Sequence, residues 1–125
     1  MKSESLLITK SIFTLLKDIF DNKVYPIVAE QSTTFPFCVV RRTSTDCVKC
    51  KDRHNYTETS YLELTIVSNS YENSIELAEK VKDTLDWYRG EVNGIQIVDI
   101  TVVASSEDYM SDNYVQRLSI TVTIL

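Results

Sequence analysis

The sequence is poor in the residues that bend or loosen a chain: two glycines and two prolines in 125 residues, with one histidine and one tryptophan. So little glycine and proline excludes collagen-like, repeat and disordered classes. Gly90 and Gly94, being the only glycines, leave no glycine-rich loop to cradle a phosphate. Basic excess is missing too. Thirteen Lys and Arg stand against eighteen Asp and Glu, for a net charge of −5, which speaks against sequence-specific nucleic-acid binding through a basic face. There is no long apolar run: after Met1-Lys2-Ser3-Glu4 the first one is broken by Thr9, Lys10 and Ser11, resembling neither a signal peptide nor a membrane span. The expectation is a cytoplasmic chain with no membrane partner. Three cysteines are an odd count that cannot all pair within one chain, so reduced thiols are expected.

What is present is core-forming material, 43% hydrophobic and 10% aromatic, enough for a single domain over 1–125. From Ser5 to Asp21 the residues Ile8, Ile12, Leu15, Leu16 and Ile19 recur at helical spacing. The pre-proline stretch Val24-Tyr25-Pro26 is extended, and Phe35-Pro36 marks a second break. A strand is expected over Phe37–Thr43 and another over Tyr61–Ser68, where Leu62, Leu64 and Ile66 share one face. Asn69 with Glu72 reads as a capping box, opening a second helix with the stripe Tyr71, Ile75, Ala78, Val81, Leu85 and Tyr88, stopped at Gly90. Two strands follow: Ile95–Ala104, with Val98, Ile100, Val102 and Ala104 on one face, and Tyr114–Leu125. Ser44–Ser60 and Ser105–Asn113 are polar and read as loops, the first long enough to be a binding or flexible element.

The order α-β-β-α-β-β, with strands that alternate apolar and polar residues, gives the expected fold class: an α+β two-layer sandwich, two helices on one face of a small mixed or antiparallel sheet. The other sheet face, with Thr65, Val67, Thr101, Val103, Thr121 and Thr123, is only half polar.

Chemistry has few places to reside. Cys47-Val48-Lys49-Cys50 with His54 supplies three of the four ligands that zinc usually takes, and Cys38 could be the fourth only if the loop folded back. The expectation is therefore no metal, with Cys47, Cys50 and His54 as the candidates if one binds. Redox use of this CxxC would want a helix N-terminus after it, where a loop and a strand are expected. Histidine acid–base chemistry would have to rest on His54 in the same loop, with no Ser or Cys held beside it. Glu107, Asp108 and Asp112 lack calcium-loop spacing and its glycine. No catalytic residue, no cofactor site and no enzyme activity are expected. Trp87 and Tyr88 serve either the core or an interface.

A set of short features runs the length of the chain: Val24-Tyr25-Pro26; Phe35-Pro36-Phe37-Cys38-Val39-Val40; Leu62-Glu63-Leu64-Thr65-Ile66-Val67-Ser68-Asn69-Ser70-Tyr71; and Leu77-Ala78-Glu79-Lys80-Val81-Lys82-Asp83-Thr84-Leu85. Glu107-Asp108-Tyr109 and Tyr114-Val115-Gln116-Arg117-Leu118-Ser119-Ile120 close it. In order and spacing the chain resembles the small tail-completion, or tail-terminator, proteins that join heads to tails in long-tailed bacteriophages and prophages. That resemblance implies a two-helix-and-sheet fold and a protein of the virion tail, assembled in the bacterial cytoplasm. Such a protein caps the tail tube at full length and meets the head connector. It also implies a ring, a hexamer, with the tail-tube and head-connector proteins as partners. The CxxC departs from the family's pattern. Head-to-tail ring contacts join different patches, and the charges suit this: Arg41, Arg42, Lys49, Lys51 and Arg53 gather at and after the first strand, Glu107, Asp108 and Asp112 in the second loop. The competing readings are a small ligand-binding or regulatory module dimerising through its sheet, and a metal or redox protein using Cys47 and Cys50.

Overall fold

The computed structural model describes residues 7–28, 34–48 and 57–125. In chain order the elements are α1 (Ile8–Leu16), β1 (Val24–Pro26), β2 (Phe37–Val48), β3 (Thr57–Ser68), α2 (Tyr71–Leu85), β4 (Gly90–Val92), β5 (Ile95–Met110) and β6 (Asn113–Ile124). Both expected helices form, with differences. α1 ends at Leu16, short of Asp21, and buries Ile8, Ser11, Ile12 and Leu16. α2 buries Ser74, Leu77, Val81 and Leu85, a face turned from the expected stripe, so that Tyr71 is exposed and Ile75 and Ala78 are half-buried. The cap of α2 is Ser70 rather than Asn69; its Oγ accepts the Asn73 amide at 3.5 Å, satisfying one of the donors that a helix start leaves open. The helix ends at Leu85, ahead of Gly90, because the chain turns at Trp87, which has φ 68°.

The six strands form one mixed sheet in the order β1-β2-β3-β6-β5-β4, parallel only between β1 and β2. One face carries Cys38 and Val40 of β2, Leu62, Leu64 and Ile66 of β3, Ile97 and Ile100 of β5, and Leu118, Ile120, Val122 and Ile124 of β6, all buried in one core with both helices. The expected small sheet of a two-layer sandwich is overturned: the fold is β-rich, a long curled sheet forming a half-barrel with two helices. Two things enlarge the sheet. Short strands β1 and β4 are added at its margins, β4 turning into β5 through Asn93-Gly94, with φ 54° and 81°. Such a pair favours a hairpin turn because both positions take positive φ. The larger change is that both polar stretches are strand in part. Ser44–Val48 pairs with Thr57–Tyr61, and β5 runs unbroken to Met110 opposite Asn113. Ser111 and Asp112, φ 52° and 65°, make the connecting turn.

Bulges correct the expected faces of β5. Register slips at Ile97/Asp99 and Val102/Ala104 insert Val98 and Val103, and an inserted residue moves every later side chain to the opposite face. The core side therefore holds Ile97, Ile100 and Val102, not Val98 and Ala104. Beyond the second bulge it holds Glu107 and Tyr109, opposite Gln116 and Tyr114. A third slip, at Thr43, lies between Arg42 and Ser44 of β2.

Candidate functional site

The sheet is open at two places that lie on a diagonal. At one margin β1 pairs with β2 only at Cys38–Val40, and the Ile27 amide adds one bond to the Val40 carbonyl at 3.0 Å. Among the described residues no strand flanks Arg41–Val48 on that side. At the other margin β4 covers β5 at Ile95–Ile97. The end of α2 then takes over: the Trp87 amide donates to the Ile100 carbonyl at 2.9 Å and the Val102 amide to Asp86 Oδ1 at 3.0 Å. From Val103 to Met110 the described residues supply no neighbour on that side. An unpaired edge offers amides and carbonyls to any extended chain.

Each open edge has a groove on its helix side. Beside β5, a cleft of about 780 Å³ lies between Ile75, Ala78, Glu79 and Lys82 of α2 and the run Val102–Glu107. Beside β2, a cleft of about 390 Å³ is lined by Leu7, Phe13, Ile27, Arg41 and Arg42, among others.

The β5/β6 hairpin is stiffened by a polar network. Gln116 Nε2 donates to Glu107 Oε2 at 2.9 Å and to Ser74 Oγ at 3.3 Å. Bonds to Glu107 from Gln116 first and the Tyr71 hydroxyl second hold its carboxyl below the usual carboxylate range, and the bond to Glu107 raises the Tyr71 phenol in turn. Asp108 accepts its neighbour's amide, from Tyr109, at 2.8 Å and a 3.3 Å bond from Arg117 Nη1, which lower its pKa as well. Both carboxylates thus stay charged at neutral pH. Three tyrosine rings, Tyr71, Tyr114 and Tyr109, pack in series with centroids 5.6 and 5.0 Å apart. Tyr109 and Tyr114 are symmetric about the turn, a signal visible in the sequence once a hairpin is expected there.

The structure does not bring the basic and acidic interface candidates together within one chain. Arg41 and Arg42 lie on the open run of β2, Arg41 exposed, Arg42 half-buried with Nη1 donating to Thr45 Oγ1 at 2.8 Å. Glu107 and Asp108 lie on the open run of β5, and Asp112 in its turn. The two sets stand on opposite edges, separated by β3 and β6. Lys49, Lys51, Arg53, Cys50 and His54 fall outside the described residues. Cys47 is in β2, nine residues from Cys38 along the strand, roughly 30 Å at the rise of a strand. Cys38 is buried in the core, where desolvation drives its thiol pKa far up; it cannot be a fourth ligand beside Cys47. Among the described residues no three His, Cys, Asp or Glu side chains are grouped to hold a metal, and no helix is long and apolar enough to cross a membrane.

Trp87 is resolved between its two readings. It is 80% exposed at the end of α2, while Tyr88 packs against the core. A bulky residue at positive φ is uncommon, and the Trp87 amide's bond to β5 holds it there.

No family model matches the sequence, and no curated protein matches it. Among solved structures, a chain described as "Virion of native gene transfer agent (GTA) particle" has the same fold: TM-score 0.69 over 98% of this chain and 98% of that one, at 10% identity.

Proposed function

We propose that the protein is a structural component of a phage-like virion that closes the tail tube at full length and forms the surface met by the head connector. The observation that carries the reading is the shared fold, end to end, with a chain of a gene transfer agent virion. The ordered features of the sequence give it its tail-completion detail. In this role the chain works as a ring of six on the tube, partnered by itself, the tail-tube protein and the connector. Its work is architectural, not catalytic: the distinctive surfaces are strand edges and a charged hairpin, which bind chains. A stacked, rotationally symmetric tube is capped at every subunit by a ring of the same symmetry, and such rings are built from head-to-tail contacts between unlike patches. Opposite charges on opposite edges meet that requirement.

Particles produced without the gene test the reading by electron microscopy. DNA-filled heads lying apart from tails are expected. Joined virions of normal length would overturn the tail-completion role.

A further inference from the structure

We propose that the open run of β5, Val103–Met110, pairs antiparallel with the open run of β2, Arg41–Val48, of a second copy, so that the sheet continues from one subunit into the next. This deepens the ring reading and rests on it for closure only. Direction is the first support. With β2 antiparallel to β3, β3 to β6 and β6 to β5, β5 runs opposite to β2, so two copies in the same orientation present antiparallel edges to each other.

Stagger is the second. The centre of the β2 run, Ser44–Thr45, is level with Thr121–Val122 of β6, and the centre of the β5 run, Ser106–Glu107, is level with Gln116–Arg117. The offset is about five residues, roughly 17 Å at the rise of a strand. Moving from β2 to the next copy's β2 crosses four strand spacings, roughly 19 Å. Strands related by that slope lean by about 40°, within the roughly 35–45° at which strands of a closed barrel tilt. The stagger also clears the short strands. β1 flanks only the far end of β2 and β4 only the far end of β5, so each lies beyond the paired stretch and limits its register.

Charge is the third. Arg41, opposite Glu63, shares the open face with Asp108, opposite Val115; Arg42, opposite Leu62, shares the helix face with Glu107, opposite Gln116. In the joined sheet both faces of the junction set an arginine near a carboxylate. Such pairs fix register and partner choice more than they add affinity.

Two reversed chains test it. Arg41→Glu/Arg42→Glu makes both edges acidic, and Glu107→Lys/Asp108→Lys makes both basic. Each alone is expected to need at least about tenfold more protein to assemble, since like charges facing each other cost more than the 1.4 kcal/mol of a tenfold change. Mixed in equal amounts they are expected to regain assembly, alternating around an even-numbered ring. Assembly of either variant alone at wild-type concentration would overturn the pairing. Circular dichroism checks the fold of each, and a second variant leaves all four charges in place. Ser44→Cys/Ser106→Cys, in a chain with Cys47→Ser and Cys50→Ser, puts both new thiols on the open face. A short bis-maleimide is expected to give a ladder of covalent multimers from the pair and none from either single variant. No ladder, with wild-type rings present, overturns the edge pairing and leaves the ring standing. A ladder without closed rings overturns the ring and leaves the pairing standing.

Discussion

From Ile95 to Val102, β5 has β6 on one side and β4 with the end of α2 on the other, and Ile95, Ile97 and Ile100 are buried. From Val103 to Met110 it has β6 alone among the described residues, and every residue is exposed. The same backbone thus serves stability in its first half and leaves hydrogen-bonding capacity unspent in its second. The bulge at Val103 separates them. Stability comes chiefly from apolar area removed from water, so a strand half that buries none has to be held by its partner strand and by polar contacts. Here those are Gln116, Arg117 and Tyr71 on Glu107 and Asp108.

Four measurements bear on that division. Ile100→Ala, in the first half, is expected to cost about 2–5 kcal/mol, read as a lower urea midpoint at unchanged slope, because it empties a packed site. Gln116→Ala, in β6 opposite the second half, removes the amide that donates to both Glu107 and Ser74. The expected cost is about 1–3 kcal/mol, with faster amide exchange beyond Ala104 and none gained before Ile100. Acid separates the halves without a mutation. Glu107 and Asp108 titrate below their ordinary values of 4.5 and 3.8, so their contribution is complete above those values and is lost as pH falls through the lower, folded ones. Side-chain NMR signals of Tyr71 and Gln116 should hold steady from pH 7 to 5 and move only in the acid range beneath, while the methyl signals of Ile97 and Ile100 stay put. The smallest effect is that of Trp87→Phe, expected to change stability by less than about 0.5 kcal/mol since the ring is exposed. As the single tryptophan beside the β5 edge, its emission is expected to shift to the blue on assembly in the wild-type chain.

The core elements were legible because burial writes a period into the sequence. Leu62, Leu64 and Ile66, or Ile12 and Leu16, could be placed on one face from spacing alone. The hairpin extensions were not. Both runs lie at margins of the sheet, with a neighbouring strand on one side only among the described residues. Ser105–Met110 is exposed throughout and Ser44–Asp46 exposed or half-buried, so neither shows an apolar alternation, and polar strand reads as loop. The bulges were silent for a related reason. Val98 and Val103 are β-branched residues well suited to a strand, and nothing local says that each is one residue too many. Of the interface candidates, Glu107, Asp108, Arg41 and Arg42 were legible as charge clusters; that they sit on opposite open edges was not.

Apolar period by itself determined two helices and four long strands, and which side of most of them faces the core, since that information lies within a few residues of each position. Strand order, the diagonal placement of β1 and β4, the three bulges and the curl of the sheet were decided only in the tertiary structure. They depend on which edge each strand finds and how its register slips against a partner up to 66 residues away, as Glu58 is from Ile124, and no local pattern encodes a partner at that distance.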